Sequence, residues 1–255
     1  MKSNQRACQA ADAARYRAGL PPGPIEDVPA VIRALGIRLL MYPLDDDSVE
    51  GAYVRRAGYP FIFLNTCTRI RYLARLRFTA AHELGHHFLS DEEADVAVYE
   101  VDAAKEDRIA NEFARCFLMD AHSVHELVAG IRSPLTKALR VQERYGVSLD
   151  AAAIRLCDLG LITMAEKDGI TGRDQNITVR QLREQCGLPA YDPPVSNPIV
   201  GLGDDYTGTL ELLIRQGLVP PERSGELALG QHVTAEPEDF EIELPPEGEM
   251  VEEKP

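Results

Sequence analysis

The spacing of apolar residues changes from helical to strand-like within the first quarter of the chain. Residues 5–18 read as a helix that ends at Gly19, before a proline-rich break. Apolar residues recur at helical spacing from Val28 to Leu35, and Gly36 then provides a natural helix end. Three strand-like segments follow, at residues 37–42, 51–56 and 60–65. Because they lie close together in sequence, we expect a small antiparallel sheet of about three strands.

Two amphipathic helices are predicted after the strands. The first has Thr68 as its N-cap and runs to about Leu89, and the second covers residues 105–120. The polar segment 91–104 between them reads as a loop. Shorter helices follow at residues 135–145, 148–160 and 179–186. The first two of these have helix-turn-helix spacing, but residues 151–157 contain only one basic residue, Arg155, so we expect core packing rather than DNA reading.

These elements predict an α+β fold that is mainly helical. We assign residues 1–165 to the main domain and residues 166–235 to a linker with a small helical extension. Within the extension, residues 207–229 have the spacing of two short helices. Residues 236–255 carry nine acidic residues and one lysine, and we expect this tail to be disordered.

The pentapeptide His82-Glu83-Leu84-Gly85-His86 carries the candidate chemistry. Histidines four residues apart lie on one face of a helix, so both imidazoles can bind a single metal ion. Glu83 projects beside that face, where its carboxylate can accept a proton from a water molecule bound to the metal. Gly85 lowers helix propensity by about 1 kcal/mol relative to alanine, which indicates close packing of another element. The alternative is an amphipathic helix with a satisfied polar cluster, but paired histidines on an apolar face favour the metal site.

A catalytic zinc needs a third protein ligand and an open position for water. Glu106 and Asp107 both project onto the inward face of the second helix, where an unpaired carboxylate is unfavourable. A metal-ligating histidine usually donates its other N–H to an oxygen atom. If Asp107 is the ligand, Asn111 lies one turn later and can accept that hydrogen bond. Ala110 would hold the same place relative to Glu106, so we favour Asp107 and keep Glu106 as the alternative.

Several segments resemble the ImmA/IrrE metallo-endopeptidase family over residues 10–165. They are residues 61–65, 77–89 (RFTAAHELGHHFL), 110–119 (ANEFARCFLM) and 146–161 (GVSLDAAAIRLCDLGL). Family members usually carry an E-x-x-A-N-x-F-A pattern whose first Glu is the third zinc ligand, and Asp107 holds that place here. Asp120 stands where the family more often has proline after Met119.

The resemblance implies a zincin-like domain with one zinc ion per chain and hydrolysis of peptide bonds. It also implies a substrate class, because members cleave helix-turn-helix repressors and so release phage, mobile-element or stress-response genes. In zinc proteases of this plan an edge strand commonly holds the substrate extended. The alternative function is a non-catalytic antirepressor scaffold, which would have no use for the general base Glu83.

Composition narrows the possible partners and compartment. The net charge of −14 argues against direct binding to nucleic acid and suits a basic protein partner. No apolar run is long enough to span a membrane, and residues 1–10 lack the apolar core of a signal peptide. The five cysteines show no CxxC pairing, so we expect reduced thiols in a cytoplasmic protein.

The side chain that would stabilise an oxyanion is left open by the sequence. His87 lies about 100° around the helix from His86, so we do not expect it to be a ligand. His122 and His125 form a second histidine cluster, but both also suit an exposed helix start. The other candidate donors are Tyr53, Tyr59 and Tyr99.

Overall fold

The computed structural model describes residues 2–42, 49–56, 58–66, 73–90, 103–174 and 176–191. Within these ranges the chain forms nine helices and three strands, and the α+β class is confirmed. In chain order they are α1 (Lys2–Arg17), α2 (Val28–Ala34), β1 (Arg38–Tyr42), β2 (Gly51–Arg56), β3 (Tyr59–Asn65), α3 (Leu73–Leu89), α4 (Ala103–Leu118), α5 (Ala121–Val128), α6 (Pro134–Tyr145), α7 (Leu149–Asp158), α8 (Met164–Thr171) and α9 (Val179–Gln185). No helix in these ranges is long and apolar enough to cross a membrane.

The sheet is mixed, so the expectation of an antiparallel sheet was wrong for one of its pairs. Its order is β1-β3-β2, with β1 parallel and β2 antiparallel to β3. The most apolar strand, β3, takes the centre and buries Ile62 and Leu64 completely. A tight turn through Gly58 (φ +77°) joins β2 to β3 as a hairpin, and β1 pairs with the other edge of β3.

Helices α3 and α4 pack closely where α3 has Gly85. A Cβ at this position would lie 3.1 Å from Cδ1 of Phe113 and 3.3 Å from Cα of Ala110. The Phe113 ring is fully buried and stacks between the rings of Phe88 and Phe117. The close packing predicted from Gly85 is therefore confirmed, and it brings the polar residues of α4 next to those of α3.

Buried arginines hold the C-terminal end of α4. Arg15 of α1 donates to the carbonyl of Phe117 at 2.7 Å, and Arg155 of α7 donates to the carbonyl of Met119 at 2.9 Å. The carbonyls at a helix end have no partner within the helix, so without these hydrogen bonds they would be buried and unsatisfied. At the next residue, Asp120 begins α5 by accepting the N–H of Ser123, and it also accepts the N–H of Gly23.

One cysteine pair departs from the expectation of reduced thiols. Cys8 of α1 and Cys116 of α4 form a disulfide, with 5.2 Å between their Cα atoms. The pair is separated by 108 residues, so no local spacing in the sequence could reveal it. Cys157 and Cys186 are free thiols.

Several predictions fall outside the described ranges or were incomplete. The N-cap at Thr68, most of the loop at 91–104, the helices at 207–229 and the tail at 236–255 lie outside them. Helix α8 was not predicted, although a capping box between Thr163 and Glu166 marks its start. The division of the chain at residues 165 and 235 stays a prediction.

Candidate metal centre

The two histidines of the motif converge on one point beside α3. His82 and His86 lie one helical turn apart, and their Nε2 atoms are 3.1 Å from each other. Their rings meet edge to face with centroids 4.8 Å apart. Both side chains are mostly buried, with exposed fractions of 17% and 15%.

Asp107 of α4 completes a group of three possible metal ligands. Its Oδ1 lies 3.7 Å from Nε2 of His82 and 3.5 Å from Nε2 of His86. Ligands bound tetrahedrally to zinc at about 2.0–2.1 Å are separated by about 3.3 Å. The three observed separations fit that spacing, and two imidazoles with a carboxylate form a donor set that zinc accepts. Among the described residues Glu106 is not part of this group.

Asn111 fixes the orientation of the first imidazole. Its Oδ1 lies 3.0 Å from Nδ1 of His82. An amide oxygen can only accept, so Nδ1 carries the proton and Nε2 turns its lone pair toward Asp107 and His86. This is the hydrogen bond that the sequence predicted for Asn111 if Asp107 were a ligand.

Burial favours the neutral form of both histidines, which is the form that binds metal. Burial lowers the pKa of His82, against opposing contributions from its hydrogen bond to Asn111 and from the carboxylate of Asp107. Burial, followed by the neighbouring His82, also lowers the pKa of His86, and Asp107 again opposes the shift. Protons therefore compete weakly for these nitrogens at neutral pH.

The side chain of Glu83 projects from α3 toward strand β2, and only 7% of the surface of this residue is exposed. Burial, and after it the charge of Asp107, raise the pKa of Glu83 to about 7, against a backbone hydrogen bond from Tyr53 of β2. A Cβ added at Gly51 of the same strand would lie 3.0 Å from Oε1 of Glu83 and 2.7 Å from Thr79. Glycine at position 51 thus permits the close approach of β2 to the carboxylate.

His82, Glu83 and Asp107 line a cleft of about 450 Å³ between the edge strand β2 and helices α3 and α4. The described lining residues are Val49, Glu50, Gly51, Phe78, Thr79, His82, Glu83, Asp107 and Asn111. Phe78 borders the site and, like Leu89, packs against the hydrophobic core.

The other candidates from the sequence lie apart from this group. His122 is exposed and pairs with Glu126 at 3.3 Å, and His125 is exposed on the same helix. Tyr59 is 57% exposed, and Tyr99 lies outside the described ranges. Tyr53 is near the site, but its hydroxyl is 3.0 Å from Nδ1 of His87. The hydrogen bond from the backbone N–H of Tyr53 to Glu83 was not predicted from the sequence, because no residue type marks a main-chain donor.

Comparison with known proteins gave a family match over the part of the chain that holds this centre. Residues 32–157 match the model of a peptidase family, the IrrE N-terminal-like domain. The match includes the sheet, α3, α4 and every residue of the candidate centre. A search of the curated proteins found no match. Residues 32–157 of this chain therefore belong to the peptidase family described as the IrrE N-terminal-like domain.

Proposed function

We propose that this protein is a zinc-dependent endopeptidase. The observation that carries the proposal is the convergence of His82, His86 and Asp107 beside a cleft that the buried carboxylate of Glu83 also lines. The three converging side chains would hold the metal. Zinc bound there would polarise the scissile carbonyl and make water a stronger nucleophile.

Glu83 supplies the proton transfer in this proposal. Its carboxylate accepts a proton from the attacking water and then delivers it to the amine that leaves. In the metal-free protein, burial raises the pKa of Glu83 to about 7, and the positive charge of a bound zinc ion would favour the ionised carboxylate that accepts the proton. The N–H of Tyr53 holds the carboxylate in place from the side of the sheet.

Strand β2 is the proposed binding edge for the substrate. It pairs with β3 along one side, and within the described residues no strand pairs with its other side. Gly51 and Glu50 of this region line the cleft. A substrate that adds to β2 as an extended strand would therefore pass its main chain by Glu83 and the metal ligands.

The proposed substrate is a helix-turn-helix transcriptional repressor, cleaved in the cytoplasm to release the genes it controls. Support comes from the family resemblance and from the net charge of −14, which suits association with a basic DNA-binding protein. A direct contact of this chain with nucleic acid is disfavoured by the same charge.

The test is to incubate the full-length protein and zinc with the helix-turn-helix repressor encoded nearest to its gene. We expect limited cleavage, located by mass spectrometry, that stops on chelation and resumes when zinc is restored. Cleavage that persists unchanged in chelator would refute a metal-dependent reaction. A stable complex with an uncleaved repressor would instead support the non-catalytic antirepressor.

A further inference from the structure

The two sulfurs of the disulfide between α1 and α4 differ in their exposure. Cys8 is partly exposed on α1, whereas Cys116 is only 2% exposed on α4. A thiolate breaks a disulfide by attacking one sulfur and displacing the other. Access from solvent therefore favours attack on Sγ of Cys8, with Cys116 as the sulfur that leaves.

A buried guanidinium contacts both sulfurs of this disulfide. Nη1 of Arg155, on α7, lies 3.1 Å from Sγ of Cys116 and 3.7 Å from Sγ of Cys8. Arg155 is only 4% exposed, and its Nε donates to the carbonyl of Met119, the residue that follows α4. The bond to the main chain therefore holds the guanidinium in place beside the sulfur that leaves.

The contact between Arg155 and the sulfurs is suited to a thiolate more than to a disulfide. A divalent sulfur is a weak hydrogen-bond acceptor, whereas a thiolate carries a full charge and accepts a stronger, charge-assisted bond. The negative charges that act on Arg155 at longer range are Asp12, Asp120 and Asp158, and Asp158 also pairs with Arg115 at 3.1 Å. A neighbouring arginine is one of the groups that stabilise thiolates in proteins.

We propose that Cys8 and Cys116 form a redox-sensitive lock between α1 and α4, in which Arg155 stabilises the leaving thiolate. The reductant is a thiol of the glutathione class. Its thiolate attacks Sγ of Cys8, the bond between the two cysteines breaks, and Cys116 takes the electron pair.

A second reductant thiolate completes the exchange by attacking the reductant sulfur of the mixed disulfide, which releases the thiolate of Cys8. In total, two reductant thiols become one disulfide, and the two cysteines gain two electrons and two protons. The inference does not depend on the peptidase function.

The lock closes a covalent loop that contains the candidate metal centre. Cys8 precedes the sheet and α3, and Cys116 follows Asp107 and Asn111 on α4, so every candidate ligand lies between the two cysteines. A cross-link over 108 residues restricts the unfolded chain and so stabilises the folded one. Reduction should therefore make the part of the protein that holds the centre easier to unfold.

The first test follows reduction of the folded full-length protein. After mild oxidation, peptide mapping without reductant should find Cys8 linked to Cys116. The protein is then treated with increasing concentrations of glutathione, quenched with acid and alkylated with N-ethylmaleimide. We expect a rate proportional to glutathione concentration, with the mixed disulfide on Cys8 and the alkyl group on Cys116.

Three results of this test would overturn the proposal. They are the absence of the link after oxidation, a mixed disulfide on Cys116, and a rate that does not rise with glutathione concentration. The last result would mean that the pair reacts only after the protein has unfolded. These measurements use the wild type, so they hold whether or not a variant folds.

Variants of Arg155 isolate its contribution to the exchange. Arg155→Met should slow reduction at least about tenfold, because a hydrogen bond to a charged group is lost, and Arg155→Lys should recover part of the rate. Arg115→Met is the matched control, since Arg115 lies on α4 beside Cys116 but pairs with Asp158. Slowing by Arg115→Met equal to that by Arg155→Met would contradict the role of Arg155.

The lock has a separate readout in the stability of the fold. Urea unfolding is followed by circular dichroism for the oxidised and the reduced wild type and for Cys8→Ser. We expect a higher midpoint for the oxidised wild type, and the same lower midpoint for Cys8→Ser with and without reductant. Equal midpoints for the oxidised and reduced wild type would overturn the lock, whatever the protein does to peptides.

Discussion

The side-chain oxygen of Asn111 lies 3.0 Å from Nδ1 of His82, one helical turn beyond Asp107 on the same helix. This spacing lets α4 supply both a candidate ligand and the group that orients another ligand. The polar face of α4 is thereby matched to the histidine face of α3, and Gly85 allows the two helices to come close enough.

Loss of the hydrogen bond from His82 to Asn111 should weaken metal binding without removing a ligand. We expect Asn111→Ala to lower zinc affinity about 10- to 100-fold, the usual effect of losing such a partner. Asn111→Asp keeps an acceptor at the same place and should retain more of the affinity. Competition with a chromogenic chelator measures both variants. Wild-type affinity in Asn111→Ala would contradict the orienting role.

The two adjacent carboxylates should differ in their effect on zinc content. Asp107→Ala removes the oxygen that lies within 3.7 Å of both imidazoles, so we expect it to lose stoichiometric zinc. Glu106→Ala should retain zinc, since Glu106 lies outside the group. Atomic absorption on dialysed protein distinguishes them, and the reverse pattern would reassign the third ligand to Glu106.

The residues of the candidate centre could be proposed from the sequence because their spacing is local. The spacing of His82, His86, Asp107 and Asn111 along two helices follows from helical periodicity, and strand β2 was predicted with its observed ends. The family resemblance over these helices is also confirmed by the family match.

Features that depend on contacts between residues far apart in sequence could not be predicted from local patterns. The parallel pairing of β1 with β3 depends on which of the two open edges of the hairpin β1 joins, and no residue in β1 records that choice. The disulfide between Cys8 and Cys116 joins helices that are far apart in sequence. The hydrogen bond from the main-chain N–H of Tyr53 to Glu83 could not be predicted either, because any residue other than proline could donate it.

Glu83 should make the metal-free protein less stable as the pH rises. Its pKa is raised from 4.5 to about 7 in the folded state, so the folded protein holds a proton that the unfolded chain releases. That stability is fully present below pH 4.5 and is lost as the pH rises through about 7. Between about pH 5.5 and about pH 8 the loss amounts to about 2 kcal/mol.

Comparison with Glu83→Gln isolates this effect, because glutamine has a similar shape and does not titrate. Urea unfolding of both metal-free proteins at the two pH values gives the difference in unfolding free energy. The pKa values of His82 and His86 are lowered, so their contributions are present above their unfolded values and are lost as the pH falls; both proteins share them. A difference that is independent of pH would contradict the raised pKa.

Two glycine-to-alanine substitutions in helices should have opposite effects on stability. At Gly85 a Cβ would press on the buried ring of Phe113 and the main chain of Ala110, which cannot move away easily. We expect Gly85→Ala to lower the melting temperature and, by separating α3 from α4, to weaken zinc binding.

Gly169 in α8 is the matched control, because a Cβ there meets nothing within 4 Å. We expect Gly169→Ala to raise stability by up to about 1 kcal/mol through helix propensity. Thermal unfolding by circular dichroism measures both variants. Stabilisation by Gly85→Ala similar to that by Gly169→Ala would show that the helices are not in tight contact.

The general-base role of Glu83 is the central claim, and zinc content measured together with cleavage tests it most directly. Both quantities are determined for the wild type and for Glu83→Gln with the same repressor substrate at neutral pH. The account predicts one zinc per chain in both proteins, cleavage by the wild type, and loss of cleavage in Glu83→Gln. Cleavage by Glu83→Gln at the wild-type rate would contradict it.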